Sequence, residues 1–249
     1  MGWNEDRGTV TRAFEDWKRT DRQIRAFLKL SMTWSKRAYQ ATWDQAEDDF
    51  ASVFDPDYDD PADHVNWFHD RVDGLWPHDY EWMLYASAMK DAVSAFDIFM
   101  EMSLNEVLTI FSYPQEDGQK IQLRLKKTGK QESPGWGVIR DAHSVFGNDI
   151  DSPTVKYIRD LRHLLTHQRG ELHTEAARVR FDYQPAGAPE RIFPSHRVEL
   201  DGARVLHCLD ELAAVVRAAD PALHRIAWGR HLPPAEELLN AGCVMTVPI

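Results

Sequence analysis

The stretch Trp82-Met83-Leu84-Tyr85-Ala86-Ser87-Ala88-Met89-Lys90-Asp91-Ala92-Val93-Ser94-Ala95-Phe96-Asp97-Ile98-Phe99-Met100-Glu101-Met102-Ser103-Leu104-Asn105-Glu106-Val107-Leu108-Thr109-Ile110-Phe111 decides the fold. Trp82, Tyr85, Met89, Val93, Phe96, Met100, Leu104, Val107 and Phe111 recur at steps of three and four, so one helical face stays apolar for about eight turns. The run ends before Pro114, which the residue preceding it cannot enter in helical conformation. A helix of this length with one apolar face needs helical partners, which predicts a bundle.

Upstream, Val10, Phe14, Trp17, Ile24 and Leu28 predict a helix over 9–30, and Trp34, Tyr39 and Trp43 a second one to about Phe54. Asp55-Pro56-Asp57-Tyr58-Asp59-Asp60-Pro61 breaks it, and a short helix is expected from His64 to Leu75. Downstream, 114–134 reads as a loop with one short strand at 120–125, and Gly137 to Phe146 as a helix. Ser152-Pro153 suits a helix start, Val155, Ile158, Leu161 and Leu165 form a buried stripe, and Gly170 suits a left-handed end. Val179-Arg180-Phe181-Asp182-Tyr183 and Arg197-Val198-Glu199-Leu200 alternate around Pro185 and Gly187, which predicts a β-hairpin at about 177–200. Ala203 to Trp228 is expected as a last helix interrupted at Asp220-Pro221, with an apolar tail from Cys243 to Ile249 packing on the body. The expectation is a mainly α chain: an N-terminal helical extension (1–75), a bundle with an inserted hairpin (76–230) and a tail (231–249).

The 249 residues carry a net charge of −11, which argues against a general nucleic-acid coat. The charge is uneven. Residues 1–43 hold nine Lys/Arg against five Asp/Glu, residues 44–101 two against sixteen, and residues 102–249 eighteen against nineteen. Acidity is therefore one block, and a basic cleft elsewhere stays compatible with it. A solvated face is the ordinary reading of such a block; the sharper one is a cover over that cleft, so that removing 1–75 raises activity. The nine tryptophans, at helical spacing, read as core before they read as stacking platforms for bases. No apolar run has the length to cross a bilayer, no signal pattern opens the chain, and Cys208 and Cys243 make neither a disulfide framework nor a zinc motif. A cytoplasmic protein without membrane contact is expected.

The chemistry-bearing stretch is Arg159-Asp160-Leu161-Arg162-His163-Leu164-Leu165-Thr166-His167-Gln168-Arg169-Gly170. Arg162 followed by the polar His163, then His167 with four residues in all between it and the Arg, and a Gly soon after, resembles the signature of HEPN domains. The long earlier helix with Glu101 in an apolar setting looks similar to that family as well, over roughly residues 78–230. The resemblance implies a helical bundle and a metal-independent endoribonuclease, a toxin or anti-phage effector, with Arg162 and His167 catalytic and His163, Glu101 and Arg159 in support. It implies no cofactor, an RNA substrate, and an antitoxin or regulatory partner.

The residue types suit that reaction. An imidazole titrates near neutral pH and can move protons between a 2′-hydroxyl and a leaving 5′-oxygen. A guanidinium stays charged and can hold the phosphate through two parallel hydrogen bonds. Five residues on a helix turn through about 500°, which leaves Arg162 and His167 roughly 140° apart. Two such helices facing each other, as in HEPN ribonucleases, would close one cleft, so a homodimer is expected. Lys120, Arg124, Lys126, Lys127 and Lys130, with Arg169, are the candidates for RNA backbone contact; a basic surface loop is the plain alternative. His163 and His167 stand at the spacing of two ligands on a helix face, yet with neither an adjacent Glu nor a third ligand in register no metal site is expected. Arg162 could equally pair with Asp160 or Glu101 in a non-catalytic module that binds a protein partner or a nucleotide.

Overall fold

The structure is a computed structural model that describes residues 10–114, 120–127, 133–184, 196–229 and 232–246. Its centre is helix α3, Pro77–Ile110, with Pro77 in the first turn, where a missing N–H costs nothing. Met89, Val93, Phe96, Met100, Leu104 and Val107 are fully buried along it.

Helix α1 spans Arg12–Val53 as one helix where two were expected. Ser31-Met32-Thr33, between the two apolar patterns, holds neither Gly nor Pro, so nothing stops propagation. Its first half runs antiparallel to α3. Phe14 and Trp17 pack on Phe99, with ring centroids 6.4 and 6.3 Å apart, and Glu106 accepts from the amides of Arg12 and Ala13 at 3.0 and 3.1 Å. The Thr11 hydroxyl accepts from the Phe14 amide at 3.1 Å. Residues Ala13 to Leu28 thus belong to the main core. The expected extension at 1–75 divides inside α1.

Beyond that point α1 runs on as an arm, and the chain after it folds back along the helix. A 3-10 turn, Pro61–Asp63, leads into α2, His64–Arg71, whose Phe68 is fully buried between Tyr39 and Trp43 of α1 and Trp76, which caps α3. Arg71 binds Asp49 across the arm.

The remaining helices are α4 (Trp136–Val145), α5 (Pro153–His167), α6 (Glu175–Phe181), α7 (Gly202–Gly229) and α8 (Ala235–Asn240). The interruption expected at Pro221 is missing from α7. Proline removes one backbone bond, while Ala219, Asp220 and Leu223 beside it are all buried and hold the helix straight through.

The expected hairpin at 177–200 is replaced by other structure. Val179, Arg180 and Phe181 are helical, in an α6 started by Thr174, whose hydroxyl accepts from the Ala177 amide. Five alternating residues do not distinguish a strand from a helix whose one apolar anchor is Phe181, and Thr-Glu-Ala-Ala starts a helix well. Residues 196–198 pair instead with the segment after α5: the Leu172 amide donates to the His196 carbonyl and the Val198 amide to the Gly170 carbonyl. Pro185 and Gly187 lie outside the described residues. The strand expected at 120–125 is present as β2 (Lys120–Leu125), between β1 (Tyr113–Pro114) and β3 (Cys243–Thr246), both antiparallel to it. Ile121, Leu123 and Leu125 face the core, and the apolar tail packs on the body as the edge strand that pairs Cys243 with Leu125. The tail's last three residues lie outside the described part. Among the described residues no helix is long and apolar enough to cross a membrane.

Candidate functional site

Helix α5 carries the Arg and His residues. Ser152 caps its start, accepting from the Val155 amide at 3.3 Å, and Val155, Ile158, Leu161, Leu164 and Leu165 bury its apolar stripe. Its end is fixed by Gly170, at φ +78°, whose amide returns to the Leu164 carbonyl. A β-carbon there would stand 2.6 Å from the Trp82 ring, so only glycine allows this approach. Trp82 in turn donates to the Val198 carbonyl at 2.7 Å and lies under the Arg197 guanidinium. The helix therefore runs antiparallel to α3, with its C-terminal end over Trp82 and Arg159 beside Asp97.

Arg159 is held from two sides. It binds Asp97, and its guanidinium lies 3.5 Å from the centre of the Trp136 ring, whose indole nitrogen donates to Asp151 at 3.1 Å. Burial raises the Asp97 pKa against the pull of Arg159 and Arg162, and burial lowers that of Arg159 against the pull of Asp97 and Asp151. Both shifts favour neutral forms, so for each group desolvation exceeds what the partner contributes.

Arg162 is half-buried and in the field of the same carboxylate, and its Nε is buried without a hydrogen-bond partner. The partners expected for it in a structural role are elsewhere: Asp160 binds Arg180, and the acid opposite α5 is Asp97, one turn before Glu101, which is half-buried. Sequence reasoning chose Glu101 and passed over Asp97, although both lie on one face of α3. Both sit between apolar neighbours, Phe96 and Ile98 for Asp97, Met100 and Met102 for Glu101, so the sequence held no signal that separates them.

His163 and His167 are exposed and in contact, with ring centroids 4.5 Å apart. The helix turn sets them on another edge of α5, about 100° and 140° round from Arg162. Among the described residues no three His, Cys, Asp or Glu side chains come together as metal ligands, so this pair gains no third one. Of the basic candidates, Arg169 is exposed in the turn after α5, at φ +52°. Lys120, Arg124, Lys126 and Lys127 are exposed but lie at the far end of α3, where Gln122 donates to the Thr109 carbonyl. From Thr109 to Trp82 is about 40 Å along the helix axis, so one chain does not join this strand to the α5 edge. Lys130 lies outside the described residues.

No family model, no curated protein and no solved structure matches this chain. Cys208 and Cys243 are buried, which pushes each thiol up to about 11 and leaves neither as a nucleophile. His143 is buried too and holds the Met100 carbonyl through Nε2 at 3.0 Å, a core histidine.

Proposed function

We propose that the chain is a HEPN-type endoribonuclease, acting in the cytoplasm as a toxin or anti-phage effector, with Arg162 and His167 as its catalytic pair. The observation that carries this reading is the division of labour on α5. Arg159 takes the ion pair with Asp97, which leaves Arg162 with an unbonded Nε on the same helix that exposes two imidazoles in contact with each other.

In this reading the 2′-oxygen attacks phosphorus and gives its proton to an imidazole. The bond from phosphorus to the 5′-oxygen breaks, and an imidazolium returns a proton to that oxygen. The products are a 2′,3′-cyclic phosphate and a 5′-hydroxyl, with the equatorial charge held by Arg162. In-line displacement places the entering and leaving oxygens on opposite sides of phosphorus. His163 and His167, side by side on one helix edge, reach only one side. A second copy supplies the other, so the active form in this reading is a homodimer, controlled by an antitoxin or regulatory partner.

The test is purified protein with total RNA and transfer RNA, with and without EDTA. Cleavage that persists in EDTA, spares DNA, leaves cyclic phosphate ends and falls at least about 100-fold in Arg162→Ala and His167→Ala supports the proposal. Absent cleavage, or equal cleavage by the variants, overturns it. The second reading, a non-catalytic HEPN module for a protein or nucleotide, draws on Arg162 facing Asp97 as a structural cation would. In that case the same substitutions change stability or binding alone.

A further inference from the structure

His163 and His167 stand one helical turn apart on α5, so their side chains share one face. Both are exposed, and their ring centres are 4.5 Å apart with 44° between the planes. Among the described residues neither imidazole makes a hydrogen bond or an ion pair, so their nitrogens are left to solvent. The backbone beneath them is fixed. Leu164 and Leu165 are buried, and Gly170 returns its amide to the Leu164 carbonyl while lying against Trp82. The pair is therefore arranged before anything binds.

The separation matches a shared ligand. A metal ion bonded to an imidazole nitrogen at about 2.0–2.1 Å stands about 3.2 Å from the ring centre. Two rings that meet one ion at a right angle then have centres about 4.5 Å apart, whereas a tetrahedral angle sets them about 5.2 Å apart. The 4.5 Å found here is the right-angled value. Right angles belong to tetragonal and octahedral ions, and imidazole is a ligand that copper(II) and nickel(II) bind strongly. Water fills the remaining positions; a cage of four protein ligands is a requirement of structural zinc. The negative end of the α5 dipole lies at His167 and favours a cation there. Asp160, one turn before His163, is taken by Arg180 and supplies no third bond.

We propose that His163 and His167 form a two-imidazole site for copper(II) or nickel(II), and that the bound ion switches off the nuclease site. The binding stands on the geometry of the pair alone, while the inhibition rests on the ribonuclease reading above. An imidazole nitrogen whose lone pair is bonded to a metal cannot take the proton of a 2′-hydroxyl, and it holds no proton to return to a 5′-oxygen. The enzyme of that reading needs no metal, yet it is metal-sensitive because it needs His167.

The test is titration of the full chain with copper(II) or nickel(II), followed by calorimetry, with copper also followed by electron paramagnetic resonance. The tightest equivalent binds wild type about 100-fold more strongly than it binds His163→Ala or His167→Ala, because the second imidazole acts at high effective concentration. The copper spectrum shows two equatorial nitrogens. His167→Ala with Gln168→His keeps the number of histidines but sets the second ring about 140° round the helix from His163, so tight binding does not return. All three positions are exposed, and circular dichroism verifies that the variants fold as wild type does. Wild type that binds no more tightly than the single variants, or a shifted pair that binds as tightly as wild type, overturns the site. On RNA, nickel(II) lowers cleavage at least about tenfold and EDTA restores it. Cleavage indifferent to the bound ion overturns the inhibition and retains the site. A metal site in a protein that cuts no RNA retains the binding inference and removes the ribonuclease reading; cleavage by a protein that binds neither ion does the reverse.

Discussion

Asp97 on α3 binds Arg159 of α5 and also acts electrostatically on Arg162, so one carboxylate anchors one guanidinium group and stands in the field of a second one turn on. Removing its charge leaves two cations in a site from which water is largely excluded. Breaking such a pair costs about 3 kcal/mol. Asp97→Asn should lower the melting temperature accordingly and, in an active enzyme, reduce kcat/KM about tenfold through disorder of Arg162. Adding Arg159→Met should restore most of the stability, because the desolvation cost of both charges disappears together. Thermal melts of the two single variants and the double variant check this. A double variant no more stable than Asp97→Asn contradicts it.

His143 gives the fold a pH dependence of known sign. Burial lowers its pKa from 6.5 to about 4, against the hydrogen bond it donates to the Met100 carbonyl. The folded state thus holds the neutral imidazole where the unfolded chain already takes a proton. The stability is fully present above about pH 6.5 and is lost as pH falls toward 4. The size is on the order of 3 kcal/mol. His143→Gln should be less stable than wild type at neutral pH and should lack this component of the slope. Chemical denaturation at a series of pH values measures the difference, and parallel slopes would refute the assignment.

Much of this was legible in the sequence because α-helical periodicity is a local signal. The stripe from Trp82 to Phe111, the Ser152-Pro153 start and the left-handed Gly170 all depend on neighbours within a turn or two. The strand at 120–125 was legible for the same reason. What failed depended on distant partners. Val179-Arg180-Phe181 alternates like a strand, but it continues a helix capped at Thr174 and closes with Phe181 packed on Tyr157. Pro221 signals a break that buried neighbours overrule. At the site, Arg162, His163 and His167 could be picked out on one helix. The choice of Asp97 over Glu101 needed the packing of α5 on α3, which no spacing reveals.

Gly170 ties the end of α5 to α3 through Trp82. Gly170→Ala meets two penalties, a left-handed backbone and a β-carbon 2.6 Å from the indole. Together they should cost about 2–4 kcal/mol. Trp82→Leu in the same chain should relieve the steric part alone. If Gly170→Ala melts within a degree or so of wild type, the contact is not what holds this end.

Asp220 holds the beginning of α1 from the middle of α7, accepting from the Thr11 amide at 3.2 Å and from its hydroxyl at 2.5 Å. Burial raises its pKa, opposed by those two hydrogen bonds. The carboxylate is useful here as an acceptor, while its charge is a burden. Asp220→Asn keeps an acceptor and should change stability by less than about 1 kcal/mol, whereas Asp220→Ala orphans two buried donors and should cost about 2–3 kcal/mol. Equal effects of the two substitutions would show that charge, not acceptance, matters.

The arm and the first half of α1 should respond to deletion in opposite ways. Phe14, Trp17, Ile24 and Leu28 lie in the main core, so removing residues 1–75 strips α3 of its largest partner and should give insoluble or molten protein. A rise in activity on that deletion, as expected of a simple acidic cover, cannot then be read out. Excising only 35–75, with a short Gly-Ser linker from Trp34 to Trp76, removes the aromatic cluster around Phe68 together with the acidic surface and leaves the bundle core intact. That variant should fold and melt cooperatively. Loss of cooperative melting on arm excision would mean that the arm is a structural part of the bundle.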